Sequence, residues 1–287
     1  MNIGLQRPSA IRLCAASLML FNCLRCVSAE RAVDTAPAPT TPFQFLIGES
    51  LVKYMMMKAP ESVSLLNGTR PWIIMASAGP YAANAPAEWK PQYMIRFANE
   101  ADMEAQFAAG KIPAFVSWIM YDNEPHAFPI TPPNELADPP LYYDKAAKLV
   151  HSHSLLFMAT AGLSGDAQEK QKIVDLATEF DAYDLQTQTG ETTVSEFDEH
   201  IRNQSAKFRA RNPKILICAG FGDFAHKELL TPEEIVPFLV SMPSNVPVWP
   251  NFGPHEPPGK EPIPGHYDYF VKVLEATVNM KPGAPLK

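Results

Sequence analysis

Two carboxylates at the end of an apolar segment are the residues of this sequence best suited to chemistry. The run 113–121 is mostly apolar, and Asp122, Asn123 and Glu124 follow it directly. On a β-strand alternate side chains share a face, so Asp122 and Glu124 are predicted to point the same way. Two neighbouring carboxyls whose pKa values differ can divide the work, one donating a proton and the other orienting it.

Three interpretations of this pair are open. As a general acid, Glu124 needs a raised pKa, which the charge of Asp122 and apolar neighbours such as Trp118 or Phe128 would supply. As metal ligands, Asp122, Glu124 and His126 offer the oxygen and imidazole donors that divalent ions accept. As a structural group, Glu124 would pair with a basic residue of a neighbouring element.

A second polar pattern lies further along the chain. Asp184, Gln186 and Gln188 alternate along the segment 182–188 and therefore share one face of a predicted strand. Polar side chains on a core strand must be hydrogen-bonded inside the protein or face a ligand. Amides and carboxylates beside aromatic rings suit a carbohydrate, whose hydroxyls need polar partners and whose ring faces stack on aromatics. The aromatic candidates are Trp118, Tyr183 and Trp249.

The elements that would position these residues alternate along the chain. Strand-like segments are each short and apolar, and a helical segment follows most of them. This alternation predicts a parallel sheet, and eight such units within about 250 residues favour a closed (β/α)8 barrel over an open doubly wound sheet. The eight predicted strands are 43–48, 72–77, 93–97, 113–121, 155–159, 182–188, 214–220 and 246–249.

In a barrel of this type the catalytic groups lie at the carboxyl ends of the strands. Asp122 and Glu124 follow the fourth predicted strand, Gln186 belongs to the sixth and Trp249 ends the eighth. No glycine-rich phosphate-binding loop follows any strand, so no nucleotide or other cofactor is predicted. The candidates for a second catalytic carboxylate are Asp184, Glu191 and Asp223.

Charge and cysteine content restrict the class of protein. The chain carries 31 acidic and 24 basic residues, a formal net charge of −7. An acidic surface argues against nucleic acid and anionic membranes as partners. Cys218 is the cysteine that remains after residue 29, so no disulfide framework is expected. It lies in an apolar strand, where we predict a buried, unreactive thiol.

The first residues have the pattern of a secretory signal. Basic residues precede the mostly apolar run 13–24, and Val27-Ser28-Ala29 is typical of a cleavage site. We therefore predict a signal peptide at 1–29, a disordered lead-in at 30–42 and a barrel domain at 43–287. The expected location is secreted or periplasmic, with no membrane contact after the signal is removed.

Short motifs resemble known barrel families. Asn123-Glu124-Pro125 resembles the acid/base motif of retaining glycoside hydrolases with (β/α)8 folds, although no glutamate ends the seventh strand. The segment 122–124 resembles the end of the chitinase-type Asp-x-Asp-x-Glu motif, with Met120 in place of the upstream acid. A broader resemblance is to secreted barrel proteins with Tyr-Asp-x-Glu and Gln-x-Gln motifs, which implies the fold and the site but no particular reaction. Its matching positions are Tyr121, Asp122, Glu124, Glu135, Gln186 and Gln188.

The leading expectation is a glycoside hydrolase-like barrel that acts on a saccharide. Glu124 would be its general acid, and Asp122 would orient that acid or hold its proton. One alternative is a non-catalytic barrel that binds a saccharide or another polar ligand. Another is a metal-dependent hydrolase built on Asp122, Glu124 and His126. The residues predicted to contact the substrate are Tyr121, Glu135, Asp184, Gln186, Gln188 and Trp249.

Overall fold

The computed structural model describes residues 43–124, 131–161, 167–187, 193–222, 224–225, 228–243, 246–251, 264–278 and 280. The predictions for the signal peptide and the lead-in, residues 1–42, lie outside these ranges. None of the helices within the described ranges is long and apolar enough to cross a membrane.

Eight parallel strands follow one another around a single sheet, in chain order. The first and last strands meet where the Val248 N–H donates to the Gln44 carbonyl at 2.8 Å and where Phe45 forms a parallel bridge with Val248. The sheet is therefore a nearly closed barrel, and the predicted (β/α)8 fold is confirmed. The strands are β1 (Leu46–Gly48), β2 (Trp72–Ala76), β3 (Gln92–Phe97), β4 (Val116–Asn123), β5 (Leu156–Ala161), β6 (Ala182–Gln186), β7 (Leu216–Gly222) and β8 (Val248–Asn251).

Helices surround the barrel, and their starts follow local sequence signals. Thr231 caps one helix with a complete capping box, and Thr193 accepts the Glu196 N–H at the start of another. A short antiparallel hairpin pairs Phe224–Ala225 with Glu228–Leu229. The helices are α1 (Glu49–Lys58), α2 (Glu100–Ala108), α3 (Pro133–Ala137), α4 (Pro139–Ser152), α5 (Ala167–Asp175), α6 (Val194–Arg211), α7 (Pro232–Ser241) and α8 (Pro264–Thr277).

Each strand is buried on both faces, because one face packs against the helices and the other fills the barrel. Inside the barrel, Trp72 and Trp118 pack with ring centroids 4.7 Å apart, and Met120 and Met158 lie in the same apolar cluster. Cys218 belongs to this cluster and is fully buried, and burial raises the pKa of its thiol well above its usual value. Its predicted burial is confirmed.

Four strands run further at their carboxyl ends than the sequence predicted: β4 to Asn123, β5 to Ala161, β7 to Gly222 and β8 to Asn251. For β4 and β5 the reason is their mutual register, which pairs Asp122 with Thr160 and Asn123 with Ala161, so the ladder holds polar residues in the sheet. Asp122 is thus fixed within a strand rather than carried on a loop.

Candidate functional site

A layer of polar side chains lies inside the barrel above its apolar filling. Alternate residues of β4 point into the barrel. They are Trp118 and Met120, followed by Asp122, which is 1% exposed. Arg96, an inward residue of β3, donates from Nε to Asp122 Oδ2 at 2.5 Å, and its Nη2 also contacts that oxygen. The charge of Asp122 is therefore matched by a guanidinium held on the neighbouring strand.

Glu124 follows on the same face, at the carboxyl end of β4, and is half-buried. Burial, above all, raises the pKa of its carboxyl to about 9. The charge of Asp122, a hydrogen bond between the two carboxyls and the charge of Asp184 raise this pKa further, and Arg96 acts against them. Glu124 therefore keeps a proton near neutral pH.

Asp184 lies deeper than Glu124, on the inner face of β6. Its side chain is fully buried, and within the described ranges neither carboxyl oxygen has a hydrogen-bond partner of normal geometry. Burial raises the pKa of this carboxyl to about 8, Asp122 adds to the rise, and the nearby Gly220 N–H partly offsets it. The structure therefore encloses Asp184, so direct contact with a substrate, as predicted from sequence, would require the site to open.

Tyr121 and Glu135 do not lie in the barrel, contrary to the sequence-based prediction. Tyr121 is on the outer face of β4, where its hydroxyl donates to the Glu135 carboxylate and its ring packs on Tyr143. The Glu135 oxygens also accept the Glu100 N–H at 3.0 and 3.2 Å, at the start of α2. Tyr121 and Asp122 are consecutive residues of β4 and therefore point to opposite faces of the strand. The Tyr121–Glu135 pair accordingly connects the strand to the helices and does not line a pocket.

The backbone at Glu124 is fixed by Thr131, seven residues further along the chain. The fully buried Thr131 hydroxyl accepts the Glu124 N–H at 3.1 Å and contacts the Asp122 carbonyl at 3.4 Å. The Asn123 side chain points to the outer layer and donates to the Tyr121 hydroxyl and the Glu135 carbonyl. These contacts hold the end of β4 from both sides, which sets the position of Glu124.

The aromatic side chains predicted to stack on a sugar separate in the structure. Tyr183 faces outward and stacks on Phe208 at 4.0 Å, so it is not available to a ligand in the barrel. Trp118 donates to Gln92 at the first residue of β3, near the amino ends of the strands. Trp118 is therefore not a neighbour of Glu124, and only Trp249 of the three is half-buried near the carboxyl ends.

Gln186 occupies the last position of β6, inward by alternation with Ala182 and Asp184, and is half-buried. It therefore lies at the same end of the barrel as Glu124 and Trp249, as predicted. The remaining predicted site residues and their neighbours lie outside the described ranges. They are Gln188, His126, Phe128, Glu191 and Asp223.

Sequence reasoning missed Arg96 and Thr131. Arg96 had a usable signal, since it follows Met94 by two residues in an apolar strand and must share the inward face with it. A cation at that position requires an acid on an adjacent strand. Thr131 had no such signal, because its role depends on contacts with the backbone of residues seven and nine positions earlier in the chain.

A metal site is not assembled by the described residues. No group of three or more His, Cys, Asp or Glu side chains within those ranges is placed to hold an ion. Arg96 also occupies one oxygen of Asp122. His126, the third ligand of the metal hypothesis, is outside the ranges.

Comparison with known proteins supports the fold. No protein-family model and no curated protein matches the chain. Among solved structures, the chain is similar to a mutant of the glycoside hydrolase family 128 (subgroup I) endo-β-1,3-glucanase from Amycolatopsis mediterranei, in complex with laminarihexaose. The identity is 13%, the match covers 84% of this chain and 99% of that one, and the TM-score is 0.52. A glycoside hydrolase family 17 β-1,3-glucanosyltransferase from Rhizomucor miehei matches at 11% identity over 78% of this chain and 89% of that one, with a TM-score of 0.44. At this identity, the likeness to the family 128 enzyme shows the barrel fold alone.

Proposed function

We propose that the protein is a glycoside hydrolase-like barrel acting on a saccharide, with Glu124 as general acid. The observation that carries this proposal is the Asp122–Glu124 pair at the carboxyl end of β4, where burial and the charge of Asp122 raise the pKa of Glu124 to about 9. An acid still protonated at neutral pH can protonate a leaving oxygen, which is the first requirement for cleaving a glycosidic bond.

Asp122 serves Glu124 rather than attacking the sugar. Asp122 is 1% exposed, whereas the second carboxyl of a glycosidase must reach the sugar or its attacking water, about 5–5.5 Å from the acid in retaining enzymes and about 6.5–9.5 Å in inverting ones. Asp122 is also held by Arg96. Its role in this proposal is to orient the Glu124 proton, as the sequence predicted.

A saccharide is the substrate class that best fits the groups at this end of the barrel. Gln186 offers an amide to sugar hydroxyls, and Trp249 offers a ring face. The structurally similar endo-β-1,3-glucanase was solved with laminarihexaose. β-1,3-Linked gluco-oligosaccharides are therefore the first substrates to test.

A non-catalytic saccharide-binding barrel is the second candidate, favoured by the enclosure of Asp184. This carboxyl is fully buried, and Asp122 is 1% exposed and bound by Arg96. Neither aspartate is thus exposed beside Glu124 as a second carboxylate. Such a protein would bind the oligosaccharide and leave its bonds intact.

The deciding experiment compares the wild type with Glu124→Gln, which keeps the shape and removes the titrating proton. The proposal expects the folded variant to lose about 10²–10⁴-fold in turnover on laminarin or another substrate from a polysaccharide screen, while its affinity for oligosaccharide is retained. The same screen with a chelator addresses the metal alternative.

Equal turnover by the wild type and a folded Glu124→Gln variant would remove Glu124 from the chemistry. Binding without turnover by either protein would support the binding barrel instead. Loss of wild-type turnover in the chelator arm would favour the metal-dependent hydrolase.

A further inference from the structure

Asp184 is a buried acid without a counter-charge of its own. It is fully buried on β6, and neither of its oxygens meets a hydrogen-bond donor of normal geometry in the described part of the chain. Its cross-strand partners are Thr160 on β5 and Cys218 on β7, neither of which carries a charge. Ionising a carboxyl in this environment costs free energy, so its pKa is raised. The charge that it acquires on ionisation then acts on the groups around it with little screening.

The register of the sheet connects Asp184 to the proposed acid. Asp122, Thr160 and Asp184 are directly paired across β4, β5 and β6, and Glu124 shares the face of Asp122. The Thr160 hydroxyl between the two aspartates is also buried and unpaired within the described ranges. The carboxyls of Asp122, Asp184 and Glu124 therefore belong to one enclosed cluster.

This cluster holds more acid than base. Arg96 is bound to Asp122, and its charge is matched there. If Asp184 and Glu124 were both ionised, two unmatched negative charges would face each other in a medium of low dielectric constant. Ionisation of one of these carboxyls therefore opposes ionisation of the other.

We propose that Asp184 is a positioning residue that, once ionised, extends the acid form of Glu124 to higher pH from inside the barrel. The charge of Asp184 opposes ionisation of Glu124, so Glu124 keeps its proton to a higher pH than it would beside a neutral residue. This inference rests on the proposed function for its catalytic meaning, whereas the proton coupling itself is a property of the folded protein.

The facing groups support this coupling. The pKa of Asp184 is raised to about 8 and that of Glu124 to about 9, with the charge of Asp184 contributing to the latter. Arg96 on β3 and the Gly220 N–H on β7 act in the opposite direction. In the described part of the chain, the Tyr183 hydroxyl and the Cys218 thiol also feel the Asp184 charge. Burial and that charge raise their pKa values, so they stay neutral in this range.

The test is a ¹³C-carboxyl NMR titration of the full chain, with Glu124→Gln used to assign the Glu124 signal. In Asp184→Asn, the midpoint of Glu124 should move to lower pH by about one unit, the size expected for one charge acting over several ångströms at an effective dielectric constant of about 20. Glu135→Gln is the matched control, because it removes a buried acid on the other side of β4 and should leave the midpoint in place.

An unmoved Glu124 midpoint in folded Asp184→Asn would overturn the proposal. If that variant does not fold, the midpoints in the wild type and in Glu124→Gln decide. Asp184 must already be ionised when Glu124 titrates, so the midpoint of Asp184 in Glu124→Gln should lie below that of Glu124 in the wild type. A midpoint at or above it would overturn the proposal.

Activity gives a separate readout. If the protein hydrolyses saccharides, Asp184→Asn should shift the alkaline limb of its kcat/KM profile to lower pH with little change in KM. A merely structural role would lower kcat/KM at every pH without moving the limb. If there is no turnover at all, the proposed function is wrong. The NMR titration still tests the coupling between Asp184 and Glu124, because it does not depend on activity.

Discussion

At the scale of single residues, the Arg96–Asp122 pair determines whether the acidic layer can be tolerated inside the barrel. Asp122 is 1% exposed and Arg96 is 28% exposed. The guanidinium therefore extends from the partly exposed end of the barrel to a carboxylate that is shielded from water. Removing one partner of such a pair costs more than the pair contributes, because the other charge remains buried and unmatched. The pair is better understood as compensation for Asp122 than as a source of stability.

Replacing Arg96 should therefore destabilise the protein strongly. We expect Arg96→Met to lower the free energy of unfolding by about 3 kcal/mol, since Asp122 then stays buried without a cation. The Arg96→Met, Asp122→Asn double variant should recover much of this loss. Urea denaturation of the wild type, both single variants and the double variant gives the coupling energy. Equal losses in Arg96→Met and the double variant would show that packing, and not charge, is what Arg96 supplies.

At the scale of elements, the outer surface of β4 fixes the candidate site as firmly as the inner one. Glu135 of α3 connects the strand to α2, because its carboxylate accepts from the Tyr121 hydroxyl and from the Glu100 N–H. The start of α2 also has the Asn99 side chain, which accepts the Asp102 N–H at 3.2 Å. A helix start leaves unsatisfied N–H groups, and these two residues satisfy part of that requirement.

Truncating Glu135 should loosen this connection. We expect Glu135→Ala to cost about 1–3 kcal/mol, because it leaves the Tyr121 hydroxyl and the Glu100 N–H buried or half-buried without an acceptor. Glu135→Gln retains one oxygen and should cost less. Chemical denaturation measures the loss, and hydrogen exchange should show faster exchange in the first turn of α2. If Glu135→Ala were as stable as the wild type, the network would not contribute to holding the layer.

At the scale of the whole molecule, the acids inside the barrel make stability depend on pH. The folded pKa values of Asp184 and Glu124 are raised above those of the unfolded chain. The folded state therefore binds protons more tightly than the unfolded state between about pH 4 and pH 9. By linkage, their contribution to stability is fully present at the acid end of this range and is lost as the pH rises through the folded pKa values.

The free energy of unfolding should accordingly fall as the pH is raised from 5 to 9. In Asp184→Asn the fall should be smaller, and at pH 9 this variant should exceed the wild type by a margin on the order of a few kcal/mol. The half-exposed Asp175, replaced by Asn, is the matched surface control and should follow the wild-type curve. Urea denaturation at several pH values tests this. Parallel curves for the wild type and Asp184→Asn would mean that Asp184 titrates as it does in the unfolded chain.

Much of the fold and part of the candidate site could be predicted from short-range patterns in the sequence. The alternation of strand and helix segments predicted the barrel, and the helix starts at Thr231 and Thr193 depend on caps formed with a residue three positions along the chain. The two-residue period of a strand placed Asp122 and Glu124 on one face. The apolar context of Cys218 was enough to predict its burial. These conclusions depend only on neighbours a few residues away.

What the sequence could not decide was which of two buried faces points into the barrel. Strands of a parallel barrel are apolar on both faces, so Tyr121 and Tyr183 were as compatible with the pocket as with the helical layer, where they lie. The pairing of Arg96 with Asp122 and the enclosure of Asp184 depend on the register between strands far apart in the chain. Only the closed barrel brings these groups together, because the distances between strands are set by the sheet and not by the local pattern.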